Sequence, residues 1–317
     1  MARSRASAFL ACVLVLAVGA VLGAGSASGT AVVGPQPGSP DPKQVVLRSS
    51  DLGAARVALQ RYSRSSDFPG AIAYEREFRA GKAGGARLLY AASAAEVGTD
   101  APAAARVLAA VHRALGSKKA RAALAKGFAQ GVGDSSIPIS KLQVGHVRAL
   151  GAGLGSFDLP MSVRILGLRT DLHIALFRVD RLLGALELVG APGARVPVAT
   201  MTRLARVMTA RMAAELVTQN LTPPAISGPA QSGQMLTAGP GTWSGATSTF
   251  TYRWQRCDGT GANCADLPGA VDATYALQDA DVGSTLRVVV TATNAFGEAS
   301  AESAPTAIVT PAPAPLP

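Results

Sequence analysis

Polar and apolar side chains alternate between residues 70 and 80. In GAIAYEREFRA, Ile72, Tyr74 and Phe78 fall on one face and Glu75, Glu77 and Arg79 on the other, and GKAGG then turns the chain back into ARLLYAAS. That pattern predicts a β-hairpin with Glu75 and Glu77 on a solvated, arginine-flanked face. The period then lengthens to that of a helix. Thr99 or Asp100 caps TDAP, Pro102 stands in the first turn, and Val107, Leu108, Val111 and Leu115 recur on one side until Gly116 interrupts. A basic helical stretch, SKKARAALAKGFAQ, follows. KLQVGHVRAL, SVRILGLR, LHIALFRV and LLGALELV read as four strands, separated by GAGLGSFDLP, by Thr170-Asp171 and by Asp180-Arg181, the last two short enough for hairpins. A closing helix gathers Met201, Leu204, Met208, Met212 and Leu216 in one arc and sets Arg203, Arg206 and Arg211 opposite. The order β-β-α-β-β-β-β-α predicts an α+β domain over residues 45–218, an antiparallel sheet covered by helices.

Beyond residue 223 the helical period disappears. Short alternating runs separated by turn residues predict an all-β sandwich over residues 225–310. YRWQ points Tyr252 and Trp254 one way, and STLRVVVTATN puts Leu286, Val288, Val290 and Ala292 on one face. PPAISGPAQSGQMLTAGPGTWSG, YRWQRCDGTGANCADLPGA, TYALQDADVGSTLRVVVTATNAFG and SAPTAIV together resemble the bacterial immunoglobulin-like modules of actinobacterial extracellular proteins. The resemblance implies an immunoglobulin-like spacer or adhesion module with no catalytic residues. In element order alone, the first domain is similar to the PsbP/LpqN-type domains of secreted and sensor proteins.

Residues 1–30 begin with Arg3 and Arg5, continue through an apolar run and end in GSASGTA, the pattern of a secretory signal peptide, with an uncleaved anchor helix as the alternative. The expected product is secreted to the bacterial cell surface, with no stable membrane span after cleavage. Residues 31–44 and 219–224 read as linkers, the second within TQNLTPP, and 311–317 as a proline-rich tail. Cys12 leaves with the signal, so Cys257 and Cys264 remain as an even pair in an oxidising compartment. The six residues between them exclude a thioredoxin-type motif, and zinc lacks further ligands nearby, which predicts a local disulfide.

Charge divides the chain. Of 30 basic and 20 acidic residues, 25 and 13 lie between residues 31 and 222, about +12 there against about −4 in the C-terminal segment. This asymmetry suggests an anionic cell-envelope polymer as partner, or another surface protein. Lys118, Lys119, Arg121 and Lys126 are the candidate anion-contacting residues. Nucleic acid is not expected, since aromatic residues are only 5% of the chain. No cofactor or metal is expected, because His112, His146 and His173 have no carboxylate or cysteine at ligand spacing. GAGLGS, residues 151–156, lacks the lysine of a phosphate-binding loop and reads as a plain connection. The function expected is a secreted non-enzymatic binding or adhesion protein. The alternative is a secreted hydrolase that assembles its site from His146, His173, Asp158 and Asp171.

Overall fold

The computed structural model describes residues 34–35, 38–64, 72–83, 85–122, 125, 139–245 and 249–313. The expected signal segment and Lys126 lie outside them. The chain divides into two compact units, one built on residues 41–213 and the other on residues 214–317 with residues 36–40.

The first unit is an α+β layer. Its strands are β1 (Arg56–Arg64), β2 (Ile72–Ala83), β3 (Ala86–Val97), β4 (Ile139–Val144), β5 (Arg148–Ala149), β6 (Leu154–Ile165), β7 (Leu168–Val179) and β8 (Leu182–Gly190). They form one sheet in the order β1-β2-β3-β8-β7-β6-β4, with β5 beside β6 and every pairing antiparallel. Four details depart from the periodicity reading. β1 was not anticipated, because it is an edge strand that leaves most of its side chains exposed, and RVALQRYSR carries no clean alternation. The loop expected over GAGLGSFDLP gives way to strand at Leu154. KLQVGHVRAL is not continuous, since it breaks at residues 145–147 between β4 and β5. The hairpin expected at Thr170-Asp171 turns instead at Leu166-Gly167, both of positive φ (51° and 79°), while Thr170 is buried within β7 opposite Val163. Two consecutive residues of positive φ match the twist of the flanking strands, so Leu-Gly supplies the turn. Asp180-Arg181 turns the chain as expected, with Asp180 at φ 51°.

Helices cover both faces. α1 (Pro42–Val45) is capped by Asp41, so a short helix stands where part of the first linker was expected. α2 (Ala101–Gly116) is capped by Asp100, whose carboxylate accepts from Ala103 N at 2.6 Å, and has Pro in its first turn. Its Ala104, Leu108, Val111 and Leu115 join Phe157, Leu159, Met161, Leu172, Ile174 and Leu176 in one apolar cluster. α3 (Val198–Leu216) lies on the other face: a Cβ at Gly184 would stand 2.6 Å from Met212 Cε. Met201, Leu204, Met208 and Met212 are fully buried. Arg211 donates to Val46 O at 3.0 Å and to both carboxylate oxygens of Asp51, while Leu47 N donates to Ser93 Oγ at 3.0 Å. These bonds tie residues 42–52 to the same face.

Among the described residues the second unit contains three small sheets. β9 (Asn220–Thr222) pairs with β12 (Thr242–Trp243), β11 (Met235–Gly239) lies between β10 (Ala225–Ser227) and β15 (Thr274–Ala276), and the largest has the order β14-β13-β16-β17. In that sheet β13 is Thr249–Cys257, β14 Ala265–Asp266, β16 Thr285–Asn294 and β17 Gly297–Glu302. The stretch 219–224, expected as a linker, therefore contributes a strand. Its β-branched Thr222 holds Thr242 through paired hydroxyls 2.8 Å apart and accepts from Thr242 N at 2.9 Å. Leu236 and Ala238 from the three-stranded sheet share one apolar cluster with Trp254, Leu286, Val288 and Val290 from the four-stranded sheet.

Cys257 and Cys264 are disulfide-bonded, with Cα atoms 3.9 Å apart, joining the end of β13 to the residue before β14. By the loop-closure argument a ring of this size contributes about 2.5 kcal/mol. Replacing both cysteines by serine is expected to lower the unfolding free energy of the second unit by about that amount, shifting its denaturation midpoint down without abolishing its fold. Chemical denaturation followed by Trp fluorescence measures it, and loss of all cooperative unfolding would contradict it.

Candidate functional site

The antiparallel register lines up an acidic row on the face of the sheet that carries α2. Glu77 in β2 stands opposite Ala92 in β3, Ala92 opposite Glu187 in β8, and Glu187 opposite Ile174 in β7. The next row along runs Glu75, Ala94, Ala185 and Leu176. Side chains alternate along strands, so residues directly opposite share a face. Tyr90, opposite Val189, completes the group and belongs to the α2 cluster.

These groups differ in how they are satisfied. Glu75 accepts from Arg61 at 3.2 Å on the solvent side, the arginine side chain being 55% exposed. Glu77 is only 7% exposed, Tyr90 4% and Glu187 fully buried. Both carboxylate oxygens of Glu187 and the Tyr90 hydroxyl lack a hydrogen-bond partner. Each such group costs about 1–3 kcal/mol, and more if it is charged. Burial, with Glu77 and Glu75 adding to it, pushes the Glu187 carboxyl up to about 8. Burial and Glu75 raise Glu77 as well, against smaller lowering by Arg61, Tyr90 and Arg79. The Tyr90 phenol is raised by burial and then by the Glu187 and Glu77 charges. Glu77 lies near that phenol without reaching hydrogen-bond geometry.

The solvated ladder expected at Glu75 and Glu77 therefore holds for Glu75 alone. Glu187 was missed altogether. Its signal was a single acid inside LLGALELVG, a run with the near-continuous apolar character of a strand buried on both faces.

A second cluster lies on the α3 face. Asp158 is fully buried, and its carboxylate receives Arg148 Nε at 2.7 Å and Nη2 at 2.6 Å. His173 Nδ1 stands 3.1 Å from Asp158 Oδ1. The strands place them, since Arg148 faces Asp158 across β5–β6 and His173 faces Pro160 across β6–β7. Of the four residues of the alternative site, the fold brings together only Asp158 and His173. His146 is exposed, and Asp171 accepts instead from Val196 N at 3.3 Å and lies 3.6 Å from Arg169. A His–Asp pair orients an imidazole for proton transfer, but nucleophilic catalysis also needs a hydroxyl or thiol in reach. Here the carboxylate is shared with an arginine, as in a structural ion network.

The basic stretch restarts as a helix at Ser117, whose hydroxyl accepts from Ala120 N at 3.0 Å. Lys118 and Lys119 are exposed. Arg121 turns back to donate to the carbonyls of Leu115 (3.2 Å) and Gly116 (2.6 Å), closing the end of α2. One glycine of GAGLGS serves a close approach: Gly153, at φ 75°, would put a Cβ 2.7 Å from Arg178 O, and the strand register shifts just beyond it. Among the described residues no three His, Cys, Asp or Glu side chains converge to hold a metal ion, and no helix is long and apolar enough to cross a membrane.

No protein-family model matches the chain, and no curated protein matches it. Among solved structures, the extracellular domain of PknH from Mycobacterium tuberculosis aligns with a TM-score of 0.35 at 9% identity, covering 55% of this chain and 98% of that domain.

Proposed function

We propose that the protein is a secreted, non-enzymatic binding or adhesion protein of the bacterial cell surface. Its α+β unit recognises an anionic cell-envelope polymer, and its C-terminal unit is an immunoglobulin-like sandwich that acts as a spacer. The observation that carries this reading is the division of charge, about +12 over residues 31–222 against about −4 beyond. Exposed Lys118 and Lys119 beside the end of α2 support it. The apolar cluster shared by two sheets of the second unit, with Trp254 inside it, supports the sandwich. Arg121, bound to the end of α2, contributes charge there rather than a free donor.

Charge-driven contact weakens as the Debye length falls from about 10 Å at 0.1 M to about 3 Å at 1 M salt. The mature protein is therefore expected to be retained on teichoic-acid-type polymer at low salt and released at high salt. Changing Lys118, Lys119 and Lys126 to glutamine should move elution to lower salt. Absence of retention at low salt would refute the polymer as partner.

The contact between His173 and Asp158 specifically favours one other reading, that of a secreted hydrolase. It predicts slow hydrolysis of activated esters that His173→Gln abolishes. Hydrolysis unchanged by that substitution, or none at all, leaves the pair a structural one.

A further inference from the structure

We propose that the acidic row beneath α2 is a binding site for a cationic nitrogen, an ammonium or guanidinium group, carried on a small apolar molecule. The inference goes beyond the envelope-binding reading, does not rest on it, and concerns a different part of the unit. It starts from an imbalance. Glu187 is fully buried with two unpartnered oxygens, and Tyr90, 4% exposed, has an unpartnered hydroxyl that feels the Glu187 and Glu77 charges. A native fold seldom leaves such groups unsatisfied, so each calls for an explanation.

The charges around Glu187 do not supply a partner. β2 brings Glu77 and Glu75, β3 brings Tyr90 and, one row beyond Ala94, Glu96, and β1 brings Arg61, which is engaged by Glu75. Arg79, opposite Tyr90, is exposed. β7 presents Leu172, Ile174 and Leu176, and α2 presents Ala104, Leu108, Val111 and Leu115. Acids thus stand on one side of Glu187, and on the other hydrocarbon together with the His112 ring of α2, 5.0 Å from that of Phe157. Alanine at positions 92, 94 and 185 brings no more than a methyl group to the middle of the face.

Ligand chemistry follows from these donors and acceptors. An anion would add to the repulsion. A metal ion needs several ligands converging on one point, which these acids do not provide. A neutral alcohol brings a single O–H donor, too few for both oxygens of Glu187. A nitrogen cation offers N–H donors to both oxygens of Glu187 and offsets its charge, and the phenol oxygen of Tyr90 can accept a further N–H. The leucine, isoleucine and valine side chains around the row suit an apolar body. On binding, the Glu187 carboxyl proton passes to the buffer and the resulting carboxylate faces the nitrogen.

Calorimetric titration of the mature full-length protein at pH 7 with n-hexylammonium chloride, 1-hexanol and calcium chloride tests the site. Hexylammonium is expected to saturate at one equivalent and to release about one proton, read from the dependence of heat on buffer ionisation enthalpy. Glu187→Gln, confirmed folded by its thermal transition, should weaken binding about tenfold or more. Tyr90→Phe is the smaller second variant and should weaken it less. Equal affinity in Glu187→Gln, or no saturable hexylammonium binding, overturns the proposal. Hexanol binding as tightly, or calcium binding that depends on Glu187, overturns the cationic-nitrogen assignment. Neither result bears on polymer retention, which is measured separately.

Discussion

Raising the pH from 5 to 9 is expected to destabilise the α+β unit, and Glu187→Gln to remove most of that fall. The folded protein holds the Glu187 proton up to about 8, whereas the unfolded chain releases it near the ordinary 4.5. Between those values the native state binds more protons, so stability is fully present below about 4.5 and is lost as the pH climbs through 8. At 1.36 kcal/mol per unit, the loss is on the order of 4–5 kcal/mol. Glu77 is raised too and acts in the same direction. Burial pushes the Asp51 carboxyl up, but the bonds and charges of Arg211 and Arg48 together outweigh it and hold the group low, so Asp51 contributes stability that is lost only at acid pH, outside this window. Denaturation curves of the two proteins at successive pH values measure the difference. A fall of equal size in Glu187→Gln would show that some other group causes it.

Trp254→Ala is expected to cost about 3–5 kcal/mol and to leave the C-terminal unit close to unfolded, since small units have only about 5–15 kcal/mol in total. The indole is fully buried among Leu236, Leu277, Leu286, Val288, Val290 and Val309. Its Nε1 donates to Asp272 O at 3.0 Å, and its ring lies 5.6 Å from that of Tyr275. Removal therefore opens a cavity between sheets and strands a carbonyl. Trp254→Phe keeps most of the packing and should cost much less. Guanidinium denaturation of both variants tests the ranking, and a loss below about 1 kcal/mol for alanine would place the ring outside the core.

What could be read in advance was uneven for reasons that particular residues illustrate. The start of α2 was legible, with Thr99 or Asp100 as its cap, because a cap, a first-turn proline and an apolar stripe lie within sixteen residues of one another, and the structure selects Asp100. β1 was not, because an edge strand with polar faces carries no period to detect. The turn expected at Thr170-Asp171, on the ground that two residues suffice for a hairpin, lies at Leu166-Gly167, and only the pairing of buried Thr170 with Val163 fixes that register. Asp158 and His173 could be named as candidates, but not with Arg148 as the carboxylate's competing partner.

By itself, the sequence determined the helical stripes of α2 and α3, the turn at Asp180-Arg181, the cysteine pair and the division of charge. Each depends on side chains close together along the chain or on a count of residue types, so no folded neighbour is needed to decide it. The tertiary structure alone decided that Glu77, Ala92, Glu187 and Ile174 form one row across four strands. The reason is that an acid's environment is set by its lateral neighbours. Glu77 and Glu187 are 110 residues apart in sequence, and only strand order and register bring them to one face and remove the water that would otherwise solvate Glu187.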